Sequence, residues 1–378
     1  MTAVRVYLDH NATSPLRGPA LEAMVAALAC VGNPSSVHAE GRRARTIVET
    51  AREQVAALAA CRPGEVVFTS GATEAANTVL RSQWSEIIYT EAEHAAVLTP
   101  ILASTARLTA IPVLSDGVID RARLEAALAA PQAGEARRLL VLQAANNETG
   151  VLQPVVEIGE LARRHGAVMF TDAAQAAGKM DLAPLAAAAD ILAISGHKLG
   201  GPAGVGALIL RGKSGVSPLL VGGGQERGNR AGTESVAAIA GFGAAAVAAR
   251  QDLPKFAALS HHRNRIEHAM RAMEPAASIV GATADRLPNT ACVLCPGRRA
   301  ETLVIAFDLA GIALSAGAAC SSGKVSRSLT LAAMGFDAAQ AASAVRISLG
   351  WTSTQDDADA FLAAWARIIG QMSERKVA

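Results

Sequence analysis

Short apolar runs alternate with amphipathic stretches through the first two-thirds of the chain, and this alternation limits the possible folds more than any other feature. Residues 66–69, 87–90, 139–143, 168–171, 191–195 and 205–210 read as strands, mostly apolar on both faces as in a covered sheet. Residues 73–81, 120–130 and 154–165 read as helices between them; the last opens on Pro154 and closes on His165-Gly166, both boundary signals. Strands separated by helices imply an α/β fold with a mainly parallel sheet flanked by helices. After about Arg250 the texture changes to a long charged helix (253–273), strands at 289–294 and 312–315, a helix near 301–310 and a last helix from about Gln355. The expected organisation is a large domain over 13–250 and a smaller α+β domain over 251–378, the latter joined by the N-terminal segment 1–12.

The 378 residues suffice for two cores. A formal charge of +2 gives no electrostatic reason to expect nucleic acid or a membrane surface as partner. The longest apolar run, 236–249, is too short to span a bilayer, and residues 1–9 lack the pattern of a secretory signal. A soluble cytoplasmic protein is expected. The cysteines, Cys30, Cys61, Cys292, Cys295 and Cys320, are too few and odd in number for a disulfide framework. Cys30 and Cys61 end alanine-rich helical stretches and read as packing residues. Cys292-Val293-Leu294-Cys295 lacks the further ligands of a zinc site, and in a strand its two thiols face opposite sides. His261-His262 reads as a solvated pair on a charged helix.

Lysine is scarce, with six in the chain, so the position of Lys198 is informative. It follows the strand 191–195 in Ser195-Gly196-His197-Lys198-Leu199-Gly200-Gly201-Pro202. The C-terminal edge of such a sheet binds ligands, and a buried lysine amine there can form a Schiff base with a carbonyl cofactor. Asp172 ends a second strand, where a carboxylate could hold a pyridine nitrogen protonated; by itself it reads more often as a cap for a helix over 173–177. Thr69-Ser70-Gly71-Ala72-Thr73-Glu74 runs from strand to helix through a glycine, a setting for phosphate.

These strings sit among others in a fixed order: Tyr7-Leu8-Asp9-His10-Asn11-Ala12-Thr13, Gly32-Asn33-Pro34-Ser35-Ser36, Glu93-His94-Ala95-Ala96-Val97-Leu98, Asn146-Asn147-Glu148-Thr149-Gly150, and the segments 171–179, 222–233, 314–323 and 345–350. Together they resemble the NifS/IscS-like cysteine desulfurases of the class V aminotransferase superfamily, which are fold-type I enzymes dependent on pyridoxal 5'-phosphate. The resemblance implies that Lys198 carries the cofactor and that Asp172 pairs with its ring nitrogen. It implies that His94 stacks on the ring, and that Gln175 and Asn147 meet its phenolic oxygen or the substrate. Ala72, Thr73, Ser195 and His197 would hold the phosphate, and Thr233 would reach the phosphate of the neighbouring subunit in a homodimer. Arg346 would take the substrate carboxylate through its planar fork.

The cofactor alone does not fix the reaction. In the family, the position of Cys320, within Ser315-Ala316-Gly317-Ala318-Ala319-Cys320-Ser321-Ser322-Gly323, takes sulfur from L-cysteine as a persulfide, leaving L-alanine. A sulfur-acceptor scaffold or carrier is then the expected partner. Iron–sulfur cluster assembly is the expected destination, with nitrogenase and tRNA thiolation as alternatives. Selenocysteine lyase or aminotransferase chemistry is the runner-up within the superfamily. A nucleotide-binding reading of the glycine-rich 201–206 lacks the required glycine order and precedes a strand, and a non-catalytic sulfur-relay protein is disfavoured by the intact set Lys198, Asp172, His94 and Cys320. Two departures stand out: Ser326-Arg327-Ser328-Leu329 where many relatives carry Pro-Ser-His, and Ala203 where relatives often carry lysine.

Overall fold

The computed structural model describes residues 5–131, 137–212, 214–317 and 328–377, without the side chains of 373–377. The short strand β1 (Val6–Tyr7) opens the chain. Seven strands then form the large sheet: β2 (Val66–Thr69), β3 (Glu86–Thr90), β4 (Arg107–Ile111), β5 (Arg138–Val141), β6 (Val168–Asp172), β7 (Ile191–Ser195) and β8 (Gly206–Leu210). Their order is β2-β8-β7-β6-β5-β3-β4. All neighbours are parallel except that β8 runs against both β2 and β7. The fold is therefore α/β with a mainly parallel sheet, as its alternating pattern predicts.

Strands β2, β3, β5 and β7 are buried along their whole length, because helices cover both faces. One face packs with Val48, Val55, Ile158 and Phe242, the other with Val79, Val97 and Ile101. The edge strand β4 escaped sequence detection. It is exposed or half-buried at four of its five positions, so it lacks the apolar run by which the covered strands are recognised.

Beyond Arg250, β9 (Ser278–Ile279), β10 (Thr290–Leu294), β11 (Ile312–Ala313), β12 (Ser315–Ala316) and β13 (Ala344–Ser348) follow. A small antiparallel sheet has the order β12-β13-β10-β9, whereas β11 pairs with β1 in parallel. The run expected as one strand over 312–315 is thus two, split between separate sheets. The helices Leu253–Met273 and Gln355–Val377 cover this sheet. Phe307, Phe361 and Trp365 stack in its core, and Leu8 from the N-terminal segment joins the same cluster. Cys292 and Cys295 lie in different apolar clusters on opposite sides of β10. Cys61 packs against the main core and burial raises its thiol to about 12, whereas Cys30 is half-exposed. His261 is exposed and His262 half-buried. Among the described residues no single helix is long and apolar enough to cross a membrane.

Candidate active site

The C-terminal ends of β2, β3, β5, β6 and β7 open on one cavity of about 540 Å³. At one end β2 passes through Ser70 and Gly71 into the helix Ala72–Leu80, whose N-terminus has no side-chain cap among the described residues. Gly71 has φ of 153°, in a region that excludes a Cβ. Gly206 lets β8 press against this turn, since a Cβ there would lie 2.7 Å from the Gly71 Cα. Ala72, Thr73, Ser195 and His197 line the same cavity. Uncapped amides at the positive end of a helix, with hydroxyls beside them, form a site for an anion. His197 Nδ1 lies 3.2 Å from Thr13 Oγ1, and burial lowers its pKa to about 4, leaving the ring neutral at pH 7.

Lys198 ends a short 3-10 turn directly after β7. Its Nζ donates to the carbonyl oxygens of Asn11 (2.6 Å) and Ala12 (2.8 Å). Burial, with Arg346 nearby, lowers its pKa to about 8; Asp172 and Asp9 pull the other way. Low dielectric disfavours the ammonium form, so this amine loses its proton more readily than a surface lysine. Asp172, the last residue of β6, accepts from the Ala174 amide at 2.9 Å. Desolvation raises its pKa, opposed by that bond, His94 and Lys198. His94 caps the helix Ala95–Leu102, its Nδ1 accepting from the Ala96 amide at 3.1 Å. That bond puts the proton of the neutral ring on Nε2. Desolvation by the cavity walls chiefly lowers the His94 pKa, opposed by Asp172.

Arg346 reaches the cavity from β13 in the small sheet. It pairs with Asp9 at 2.7 Å and donates to the Asn147 carbonyl at 3.1 Å, while its Nε is buried without a partner among the described residues. Asn147 and Gln175 also line the cavity. Gln175 Nε2 donates to the Asn11 carbonyl at 3.0 Å, and its Oε1 accepts from Lys179 at 2.6 Å. The structure therefore brings together Lys198, Asp172, His94, Asn147, Gln175, Arg346, Ala72, Thr73, Ser195 and His197. Thr233 is exposed and lies outside the lining of this cavity. Cys320 lies outside the described residues, as do Ser326 and Arg327.

Four further residues belong to the site. The Asn11 side chain bonds Lys179, Asn289, Thr290 and the Asn147 carbonyl, while its backbone oxygen takes Lys198 and Gln175. Lys179 is buried beneath the cavity. Glu93 Oε1 accepts from the Gln143 amide (2.9 Å) and Thr90 Oγ1 (3.2 Å), but its Oε2 is buried with no partner among the described residues. Burial, with Asp172 adding, pushes its pKa up to about 8. Glu148 Oε2 accepts from Ser328 Oγ at 2.6 Å, and burial raises its pKa to about 7. All four lie inside sequence strings that point to the site. What those strings lack is the distant partner: Asn11 meets Asn147 at a separation of 136 positions and Thr290 at 279.

Residues 6–361 match the aminotransferase class-V family. A cysteine desulfurase of Cereibacter sphaeroides is 40% identical over 97% of this chain and 96% of its own length. An IscS-like cysteine desulfurase of Mycobacterium tuberculosis is 38% identical over 94% of each chain. The X-ray structure of a NifS-like protein from Rickettsia africae superposes with a TM-score of 0.88 at 33% identity, covering 97% of this chain and 99% of that one. The chain belongs to the aminotransferase class-V family, in the company of cysteine desulfurases.

Proposed function

We propose that this chain is a pyridoxal-phosphate-dependent cysteine desulfurase that takes sulfur from L-cysteine, releases L-alanine and carries the sulfur as a persulfide on Cys320. One observation carries the reading: a single cavity gathers a half-buried amine of lowered pKa, a sheltered carboxylate, an imidazole, an arginine fork and an uncapped helix N-terminus.

The residues fit the cofactor. The uncapped amides of Ala72–Leu80, with Thr73, Ser195 and His197, suit its phosphate. Asp172, whose charge is poorly solvated and bonded to one backbone amide, suits its ring nitrogen. Lys198 would hold its aldehyde and His94 would lie against its ring. When bound, pyridoxal phosphate supplies an electron sink for a carbanion at the substrate Cα.

The chain's own groups do the rest. Arg346, whose Nε has no partner among the described residues, would bind the substrate carboxylate and fix the amino acid's orientation. Lys198, its pKa near 8, would take the Cα proton and return one. His94 Nε2 would hold or pass a proton beside it. The Cys320 thiolate would attack the substrate sulfur: an S–S bond forms, the substrate Cβ–S bond breaks, and the carbon skeleton leaves as alanine. Cysteine plus enzyme thiol thus gives alanine plus enzyme persulfide.

The rest of the reading is broader. A two-domain division near Arg250 is supported by the separate apolar clusters around the two sheets. A homodimer in which Thr233 completes the neighbouring cavity is supported by the exposed position of Thr233 and by Leu21, Val25 and Leu28, exposed together on the helix Gly18–Leu28. A cytoplasmic setting would keep the thiols reduced. Transfer to a scaffold or carrier protein serving iron–sulfur cluster assembly completes the proposal.

Mass spectrometry of protein incubated with cysteine tests the core claim. The Cys320 peptide should gain one sulfur atom. With Cys320→Ala, alanine formation from cysteine should collapse; undiminished turnover of that variant, or sulfur found on Cys30 or Cys61 instead, would refute it.

A further inference from the structure

Beneath the cavity lies a second lysine, buried and with a defined set of partners. Lys179 Nζ donates to Asn11 Oδ1 at 2.7 Å and to Gln175 Oε1 at 2.6 Å. We propose that Lys179 is a positioning residue: its amine turns the Gln175 amide so that the NH2 group, and not the oxygen, is offered to the cavity. This rests on the proposed function, because the recipient of that NH2 would be the phenolic oxygen of bound pyridoxal phosphate.

A carboxamide has nearly the same shape in both orientations, so its hydrogen-bond network decides which one it adopts. Lysine can only donate while protonated, and as a neutral amine it still has two N–H groups to place. Both are committed here to amide oxygens. Gln175 then has its oxygen held below, while Nε2 donates to the Asn11 carbonyl at 3.0 Å. Reversing the amide would set its oxygen against the Asn11 carbonyl oxygen and take an acceptor away from a Lys179 N–H, leaving buried polar groups unpaired. An amide NH2 has two hydrogens. The Asn11 carbonyl takes one, and the other remains for an acceptor in the cavity, which Gln175 lines.

Asn11 is fixed in the same way. With Oδ1 held by Lys179 and Asn289, its Nδ2 donates to Thr290 Oγ1 (2.9 Å) and to the Asn147 carbonyl (3.1 Å). That Asn147 oxygen also accepts from Arg346, and the Asn11 backbone oxygen also accepts from Lys198. One buried amine therefore sets the polarity of a network touching the groups proposed to hold cofactor and substrate. Burial depresses the Lys179 pKa strongly, Lys198 and Arg346 adding to it, which is consistent with an amine retained for its bonds rather than its charge.

The test titrates the cofactor-free chain with pyridoxal phosphate, reading affinity and the cofactor's visible absorption band, with thermal melting as a check on folding. The proteins are wild type, Lys179→Met, Gln175→Ala and the double variant. Each single change is expected to weaken binding about tenfold, as loss of one buried hydrogen bond does. Because Lys179 acts through Gln175, the double variant should bind no more than about twofold more weakly than Gln175→Ala. Multiplying losses, or wild-type affinity and spectrum in Lys179→Met, would overturn the role. If Lys179→Met does not fold, Lys179→Gln, which keeps a donor NH2, should bind within about threefold of wild type; a folded Lys179→Gln as weak as Gln175→Ala would overturn it equally. A wild-type chain with no visible band would overturn the proposed function itself, and this inference with it.

Discussion

The cavity has two walls built by different means. One is a row of strand ends: Asp172, Ser195 and Lys198 sit at or just after the last residues of β6 and β7, so each is placed by the strand that precedes it. The other is assembled from parts far apart in the chain: Arg346 from the small sheet, Asp9 and Asn11 from the N-terminal segment, and Ser328 against Glu148. The strand-end wall gets its geometry from local chain continuity. The assembled wall gets it from polar bonds between distant segments, such as the pairing of Arg346 with Asp9, 337 residues away. Changes to the first wall should therefore remove chemistry and spare the fold. Changes to the second should disturb binding and stability together.

The largest effect expected is at Lys198. Lys198→Ala removes the amine proposed to hold the cofactor and move the Cα proton, and desulfurase turnover should fall by at least ~1,000-fold. Borohydride reduction followed by digestion should recover no cofactor on that peptide. Melting within a few degrees of wild type would fit the strand-end wall; collapse of the fold would break the comparison.

Arg346→Met should come next. Loss of a charge-assisted, two-pronged bond to the substrate carboxylate corresponds to roughly 1.5–3 kcal/mol, a fall of about 10–150-fold in kcat/KM carried mainly by KM. Unlike Lys198→Ala, it should also lower the melting temperature, because Asp9 and the Asn147 carbonyl lose a buried partner. A change confined to kcat, with unaltered stability, would contradict both expectations.

The same division explains how much of the molecule was legible beforehand. Strands β2 and β7 and the helix Leu253–Met273 fall where their apolar patterns put them, because a covered strand or a long helix writes its environment into consecutive residues. The edge strand β4 does not, since its exposed positions dilute the pattern. In the site, Lys198 and Asp172 announce themselves as polar residues closing apolar strands. Lys179 gives no such signal: it follows Gly178 in an unremarkable turn, and only the fold reveals that Asn11 waits above it, 168 residues earlier. Glu93 and Glu148 are equally silent, because a raised pKa comes from burial by other segments.

Glu148 supplies a pH test of the assembled wall. Its folded pKa, about 7, exceeds the ordinary value of 4.5 that the unfolded chain would show. Below 4.5 both states hold the proton and Glu148 contributes nothing to pH dependence. Between 4.5 and 7 the unfolded chain releases its proton and the folded chain retains it, so stability falls as pH rises; above 7 the full penalty persists. Glu148→Gln, which stays neutral and can still accept from Ser328, should be about 1–3 kcal/mol more stable than wild type at pH 8 and indistinguishable from it near pH 4. Melting curves at the two pH values decide the matter, and a difference independent of pH would show that Glu148 is already ionised in the folded chain.

The smallest effect belongs to the turn between β7 and β8, where Ala203 stands exposed at the rim of the cavity. Ala203→Lys places an ammonium at this rim of the strand-end wall. An exposed ammonium is solvated and screened, and interactions of such charges amount to about 0–1 kcal/mol. The variant should keep kcat/KM and cofactor affinity within about threefold of wild type, with any change fading as salt is raised. A tenfold change that persists in high salt would mean that the turn closes against bound cofactor or substrate, and that this wall is not fixed by its strands alone.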